Sequence, residues 1–163
     1  MTDSGSQLKW LWLSLVIILL DQASKQFAEA MLTPHQAVTL LPFFEWFLTY
    51  NTGAAFSLLA DAGGWQRWLF TGIAIVISLV IVQWLYKLPR EEKLTALSLS
   101  LILGGAVGNL IDRILLGHVI DFIQVWLGSY PFPAFNLADA AISVGAVLLI
   151  LSSFFAAPRA QVE

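Results

Sequence analysis

Four long apolar stretches constrain this chain more than any other feature of its sequence. They run from Trp10 to about Met31, from Trp65 to Leu85, from Leu94 to Leu116 and from Leu137 to Ala157. Each can cross a bilayer, because a transmembrane helix needs about 20 mainly apolar residues. The composition agrees, with 58% hydrophobic and 12% charged residues among 163. The sequence therefore predicts an all-α membrane protein with four transmembrane helices in one integral domain, residues 1–163.

The loop between the second and third stretches indicates the orientation. Residues 86–93 carry Lys87, Arg90 and Lys93, three of the eight Lys and Arg residues. Loops rich in Lys and Arg stay in the cytoplasm. Four crossings then place both termini in the cytoplasm, and Lys9 and Arg159 beside the outermost stretches agree with this topology.

The first stretch has an alternative interpretation as a cleavable signal peptide. Lys9 precedes the apolar run, and Ala28-Glu29-Ala30 resembles a small-residue cleavage site. Asp21, Gln22 and Lys25 interrupt that run, however, and it is long for a signal peptide. We therefore expect a retained helix.

The segment from Val38 to Ala60 is too irregular to span a membrane. Pro42 and the run Tyr50-Asn51-Thr52-Gly53 are typical of short strands joined by turns. With the predicted topology this segment lies outside the cytoplasm. We expect a small extracytoplasmic strand cradle there, and we expect residues 131–135, with Trp126 and Tyr130, to lie along the same interface.

Polar residues within the stretches, together with Asp121 just after the third, gather at one membrane face. They are Asp21, Lys25, Asn109, Asp112, Arg113, Asp121 and Asp139. Their depth follows from a helix rise of about 1.5 Å per residue, and all fall near the outer leaflet. The inner halves are close to purely apolar, which argues against an ion path and for a site entered from outside.

Asp121 and Asp139 are the strongest catalytic candidates, since each is embedded in apolar sequence. Ionisable residues beside lipid are usually functional, and two carboxyls sharing a site can hydrolyse a peptide bond by acid and base catalysis. The chain has no cysteine, no H-E-x-x-H and no G-x-S-x-G. His35 and His118 fit surface positions better than zinc ligands. We expect no metal and no cofactor.

Several of the other polar residues also have structural interpretations. Asp21 and Lys25 are i,i+4 neighbours and favour a salt bridge between helices over substrate contact. Asp112 and Arg113 fit an interfacial ion pair and a functional role equally well. Asn136 stands where an N-cap of the fourth helix belongs, and this role is compatible with an active one.

Small residues predict close packing of the third and fourth helices. Gly104, Gly105 and Gly108 form one small-xxx-small pattern, and Ala141 with Gly145 forms another. Such packing would bring the segments that carry Asp121 and Asp139 together.

Five blocks of the sequence resemble, in order, those of the bacterial signal peptidase II family. They are Asp21-Gln22-Ala23-Ser24-Lys25, Asn51-Thr52-Gly53-Ala54-Ala55-Phe56-Ser57, residues 104–113 (GGAVGNLIDR), Val119-Ile120-Asp121-Phe122 and Phe135-Asn136-Leu137-Ala138-Asp139. The blocks extend from the first helix to the fourth, so the resemblance covers most of the chain.

The resemblance implies an aspartic endopeptidase of the bacterial inner membrane, with its active site at the outer leaflet. Such an enzyme removes signal peptides from prolipoproteins and cuts before a cysteine that carries diacylglycerol. Asp121 and Asp139 match the catalytic dyad. The substrate and globomycin site corresponds to Asn51, Gly53, Asn109, Arg113 and Asn136, and a structural polar cluster corresponds to Asp21, Lys25 and Asp112. Membrane lipids are expected partners, and we expect a monomer that does not bind nucleic acid.

Two other classes of function stay open on the residues alone. A small transporter could use membrane carboxylates to bind cations or protons, but such sites favour the bilayer midplane and broken, repeated helices. An assembly subunit could use the polar residues only to hold helices together.

Overall fold

The computed structural model describes residues 6–53 and 63–155 of the chain. A short 3-10 helix, Leu8–Trp10, precedes α1 (Leu11–Met31), β1 (Ala37–Leu41), β2 (Phe44–Asn51), α2 (Trp65–Lys87), α3 (Lys93–Leu115), β3 (Val119–Leu127), β4 (Tyr130–Pro131) and α4 (Leu137–Phe155). The four α-helices are long and apolar enough to cross a membrane. The predicted fold class, four such helices with a small β element, is confirmed. Residues 54–60 of the predicted cradle, the predicted end of the fourth span at Ala157, and Arg159 lie outside the described residues.

Helix α3 occupies the centre of the bundle, where it packs against α1, α2 and α4. Two of its glycines allow α1 to approach closely. A Cβ atom on Gly104 would lie 2.7 Å from Cβ of Ile17, and one on Gly108 would lie 2.5 Å from Oδ2 of Asp21. The expectation that this glycine pattern serves α4 is therefore wrong for Gly104, whose nearest neighbours all lie in α1. Gly108 faces both helices, since its added Cβ would also lie 3.4 Å from Cβ of Ala138 in α4.

The contact between α3 and α4 depends on a different pair of glycines. A Cβ atom on Gly105 would collide with the carbonyl oxygen of Ala138 and lie 2.7 Å from Cγ1 of Ile142. On α4, a Cβ atom on Gly145 would lie 2.8 Å from Cγ1 of Ile102. The predicted close packing of these two helices is thus confirmed.

Buried hydroxyl groups join the helices in the half of the bundle that is remote from Asp121 and Asp139. Ser14 of α1 donates to the carbonyl of Ser100 in α3 at 2.8 Å, and Thr95 of α3 donates to Oγ of Ser152 in α4 at 3.4 Å. A hydroxyl at hydrocarbon depth is more stable when it has a hydrogen-bond partner. This half is therefore less purely apolar than we expected, since its serines and threonines contribute interhelical contacts.

The four strands form one antiparallel sheet in the order β1-β2-β3-β4. Alternate residues give the sheet two different faces. Leu48, Ile120 and Phe122 pack on the end of α1 at Ala28 and Leu32. The opposite face turns Thr49, Asn51 and Asp121 toward an open cleft. Strand β3 was not predicted, and it is the element that carries Asp121 beside β2.

We predict that Gly105→Ala destabilises the protein. The added methyl group meets backbone of α4 that cannot move without separating the helices, which should cost about 1–3 kcal/mol of unfolding free energy. Gly72→Ala in α2 is the matched control, because nothing lies within 4 Å of its added Cβ. Thermal unfolding in detergent measures both variants, and equal stability would contradict the assigned helix contact.

Candidate active site

Asp121 of β3 and Asp139 of α4 are held by four amide groups, one for each carboxylate oxygen. Asp121 accepts hydrogen bonds from Nδ2 of Asn136 at 2.7 Å and from Nδ2 of Asn51 at 3.1 Å. Asp139 accepts hydrogen bonds from Nδ2 of Asn109 at 2.8 Å and from the backbone N–H of Asn136 at 3.2 Å. The two carboxyls therefore belong to one site, and Asn136 binds both.

Asn136 is fully buried and is also the N-cap of α4. Its Oδ1 accepts the backbone N–H of Asp139 at 2.9 Å, while its own N–H donates to the Asp139 carboxylate. This reciprocal pair is a capping box, which satisfies two amide groups at the start of the helix. The predicted cap is confirmed, and one side chain both starts α4 and positions the carboxyls.

Lys25 lies behind the carboxyls, with only 1% of its surface exposed. Its ammonium lies 2.8 Å from carboxylate oxygens of Asp21 and Asp112 and donates to Oδ1 of Asn109 at 2.8 Å. Because an ammonium group can only donate, Oδ1 of Asn109 faces Lys25. Nδ2 of Asn109 is then the group that faces Asp139.

The two acidic partners of Lys25 also fix backbone at the site. Oδ1 of Asp21 accepts the N–H of Ala138 in the first turn of α4 at 2.9 Å. Oδ2 of Asp112 accepts the N–H of Ile120 in β3 at 3.2 Å. The expected salt bridge of Asp21 with Lys25 is present, and this cluster joins α1 and α3 to the segments that carry Asp121 and Asp139.

Gln22 completes this cluster, although sequence reasoning missed its role. Its Nε2 donates to Oδ1 of Asp112 at 2.8 Å and to the carbonyl of Gly108 at 3.2 Å. A signal was available, since Gln22 interrupts the same apolar run as Asp21 and Lys25. An amide in such a run requires a partner inside the bundle.

Arg113 connects α3 to the end of β2. One of its terminal nitrogens donates to the carbonyl of Gly53 at 3.1 Å, and the N–H of Gly53 donates to Oδ1 of Asn51 at 2.9 Å. Asp112 binds Lys25, so its pairing is with α1 and not with its neighbour Arg113. Arg113 thereby holds the segment that presents Asn51 to Asp121.

A cleft with a volume of about 770 Å³ opens over the two carboxyls. Asn51, Asn109 and Arg113 line it together with Asp121 and Asp139, whereas Gly53 and Asn136 are buried behind these residues. Much of the remaining wall is apolar and was not predicted as part of a site: Phe47, Phe132, Phe135, Ile142 and Val144. The cleft thus presents a polar centre with apolar surroundings, which suits an amphiphilic substrate.

The pKa of Asp121 is raised to about 7. Burial is the larger cause, and the neighbouring Asp139 carboxylate is the second. The hydrogen bonds from Asn51 and Asn136 act in the opposite direction. Two carboxyls in one buried site do not both ionise readily, so they can share a proton and act as acid and base. Within residues 6–53 and 63–155, no group of three or more His, Asp or Glu side chains is arranged to hold a metal ion.

Comparisons with known proteins identify the family of this chain. Residues 13–155 match the family model described as Signal peptidase (SPase) II. A lipoprotein signal peptidase of Pseudomonas putida is 57% identical over 150 residues, covering 91% of this chain and 88% of that protein. One from Pseudomonas aeruginosa strain UCBPP-PA14 is 54% identical over 154 residues, covering 93% and 91%.

Solved structures give the same result for the fold. A bacterial membrane enzyme determined at 2.3 Å superposes with a TM-score of 0.84 at 26% identity, covering 100% of this chain and 98% of that one. A second, determined at 1.9 Å, has a TM-score of 0.79 at 27% identity, covering 94% and 97%. With four membrane-capable helices and a match over most of its length, this chain is a multi-pass membrane peptidase that belongs to the signal peptidase II family.

Proposed function

We propose that this chain removes the signal peptide from diacylglyceryl-modified prolipoproteins and cuts before the lipidated cysteine, with Asp121 and Asp139 as its catalytic dyad. The observation that carries the proposal is the shared site, in which amide donors hold all four carboxylate oxygens beneath one cleft. Family membership supports the substrate class, and the mixed polar and apolar cleft supports a lipidated peptide.

The two aspartates have different roles in this proposal. Asp139 lies in the first turn of α4, where the side chain of Asn109 and the backbone N–H of Asn136 each donate to one of its carboxylate oxygens, and we assign it the role of the base. Asp121 has a pKa raised to about 7 by burial and by the charge of Asp139, so it is the protonated acid. Carboxyls in unlike surroundings divide acid and base roles in this way.

Hydrolysis then proceeds by water attack. Asp139 takes a proton from a water molecule as the water oxygen bonds to the scissile carbonyl carbon, and Asp121 gives its proton to the carbonyl oxygen. A tetrahedral diol results. As the C–N bond breaks, Asp139 gives its proton to the leaving nitrogen and Asp121 regains one from a diol hydroxyl, which restores the starting state.

The other site residues position the substrate or the dyad. Asn51, Asn109 and Arg113 line the cleft and are proposed to bind the extended peptide on either side of the scissile bond. Gly53 and Asn136 complete the substrate site from behind, through their bonds to Arg113 and to the dyad. Orientation of this kind accounts for a large part of enzymatic rate enhancement.

The cellular setting is part of the proposal. The chain is a single domain in the bacterial inner membrane, with both termini in the cytoplasm and the active site at the outer leaflet. It acts as a monomer on substrate that diffuses in the bilayer, without metal, cofactor or nucleic acid. Globomycin occupies the cleft and competes with the precursor.

We predict that Asp121→Asn and Asp139→Asn each abolish processing, with a loss of about 10²–10⁴ in rate, the range for removal of a general acid or base. The assay incubates purified enzyme with a diacylglyceryl-modified precursor, with and without globomycin, and measures the released signal peptide. Glu91→Gln, an exposed carboxyl in the loop before α3, is the control and should retain full activity. Normal turnover by either dyad variant would refute the assigned roles.

Activity should also fall as the pH rises. Since Asp121 must be protonated to act as the acid, kcat/KM should decrease about tenfold per unit once the pH exceeds the pKa of about 7. Asn51→Ala removes a hydrogen bond that lowers this pKa, so its alkaline limb should move to higher pH. Rates measured from pH 5.5 to 9 on stable enzyme test this, and activity that continues to rise to pH 9 would exclude Asp121 as the acid.

A further inference from the structure

Ser143 is a polar residue in the cleft that the mechanism above does not use. It lies on α4 four residues after Asp139, so both side chains share one helix face. The wall around it is apolar, with Ala140, Ile142 and Val144 as its neighbours in the cleft lining. Its hydroxyl therefore adds a polar group to the cleft about one helical turn further along α4 than Asp139, which is toward the membrane interior in the proposed topology.

The Ser143 hydroxyl differs from those of the two later serines of α4. Ser152 and Ser153 each donate to a carbonyl three residues earlier in their own helix, at 2.7 Å. The Ser143 hydroxyl makes no hydrogen bond within the described ranges 6–53 and 63–155. The Ser143 side chain is exposed. In the proposed topology it lies at hydrocarbon depth, where a hydroxyl without a partner is unfavourable, so a bound molecule that supplies an acceptor would be stabilised there.

The position of Ser143 indicates which acceptor it meets. Four residues along a helix correspond to about 6 Å, which is about two residues of an extended peptide. A signal peptide that enters from the bilayer has the residues before its scissile bond on this deeper side of the dyad. The ester groups of a diacylglyceryl chain along the apolar wall would be a second group at this position. Both sources offer a carbonyl oxygen.

We propose that Ser143 is a substrate-binding residue whose hydroxyl donates a hydrogen bond to a carbonyl oxygen of the bound precursor. This inference rests on the proposed function and adds a contact that recognises substrate away from the reacting bond. Because the contact is the same in the bound precursor and in the transition state, its loss should raise KM and leave kcat nearly unchanged.

Steady-state cleavage by Ser143→Ala tests the proposal. The variant should lose about three- to tenfold in kcat/KM, the effect of one neutral hydrogen bond. Ser143→Thr keeps the hydroxyl and should retain most of the activity. Ser153→Ala is the matched control, since its hydroxyl bonds to its own helix, and it should match the wild-type enzyme.

Two precursors distinguish the source of the carbonyl, one with ester-linked diacylglyceryl and one with ether-linked dialkylglyceryl chains. An equal loss on both supports a peptide carbonyl, and a loss confined to the ester-linked precursor supports a lipid ester. Wild-type kinetics of Ser143→Ala on both precursors would overturn the inference. Asp139→Asn in the same assay separates the two proposals. If this variant is inactive, the proposed dyad stands even where Ser143→Ala behaves like the wild-type enzyme. If it is active, the proposed function itself is refuted.

Discussion

The buried ammonium group of Lys25 is the interaction on which the rest of this structure depends. A cation inside a membrane protein is unfavourable unless opposite charges and hydrogen bonds surround it, and here Asp21, Asp112 and Asn109 do so. Both carboxylates also accept backbone N–H groups. Oδ1 of Asp21, the oxygen that does not contact Lys25, accepts one at the start of α4, and Oδ2 of Asp112, which also contacts Lys25, accepts one in β3. The contacts that stabilise the charge thereby also locate the two segments that carry Asp121 and Asp139.

The same cluster determines which groups surround the carboxyls of Asp121 and Asp139. Lys25 orients the amide of Asn109, and the capping box orients that of Asn136, so both amides present N–H groups to the dyad. In water, mobile solvent molecules would donate hydrogen bonds to such carboxylates, whereas here the amide donors are fixed before substrate arrives. Fixed donors around a carboxylate pair are the electrostatic preorganisation from which enzymes gain much of their rate.

Much of this structure could be predicted from sequence because lipid restricts the possible interpretations. The four helices follow from the length of the apolar stretches. Asp121, Asp139 and the Asn136 cap were recognised because a polar residue beside apolar sequence usually has a structural or functional role. Strand β3 was missed because its first four residues are buried on both faces, between α1 and the cleft, so they show no alternation. The sequence also could not predict which glycines face α1. Spacing defines a shared helix face but not the neighbouring helix that packs on it.

The central claim is that Asp121 and Asp139 form one site that holds a single proton near neutral pH. Carbon-13 NMR of the aspartate carboxyls, titrated from pH 4 to 9 in the intact enzyme, tests it most directly. In the wild-type protein a carboxyl should titrate near pH 7. This transition should disappear in Asp121→Asn. In Asp139→Asn the Asp121 carboxyl should titrate at lower pH, because the neighbouring negative charge is gone. A wild-type protein in which neither carboxyl titrates near neutral pH would contradict the account.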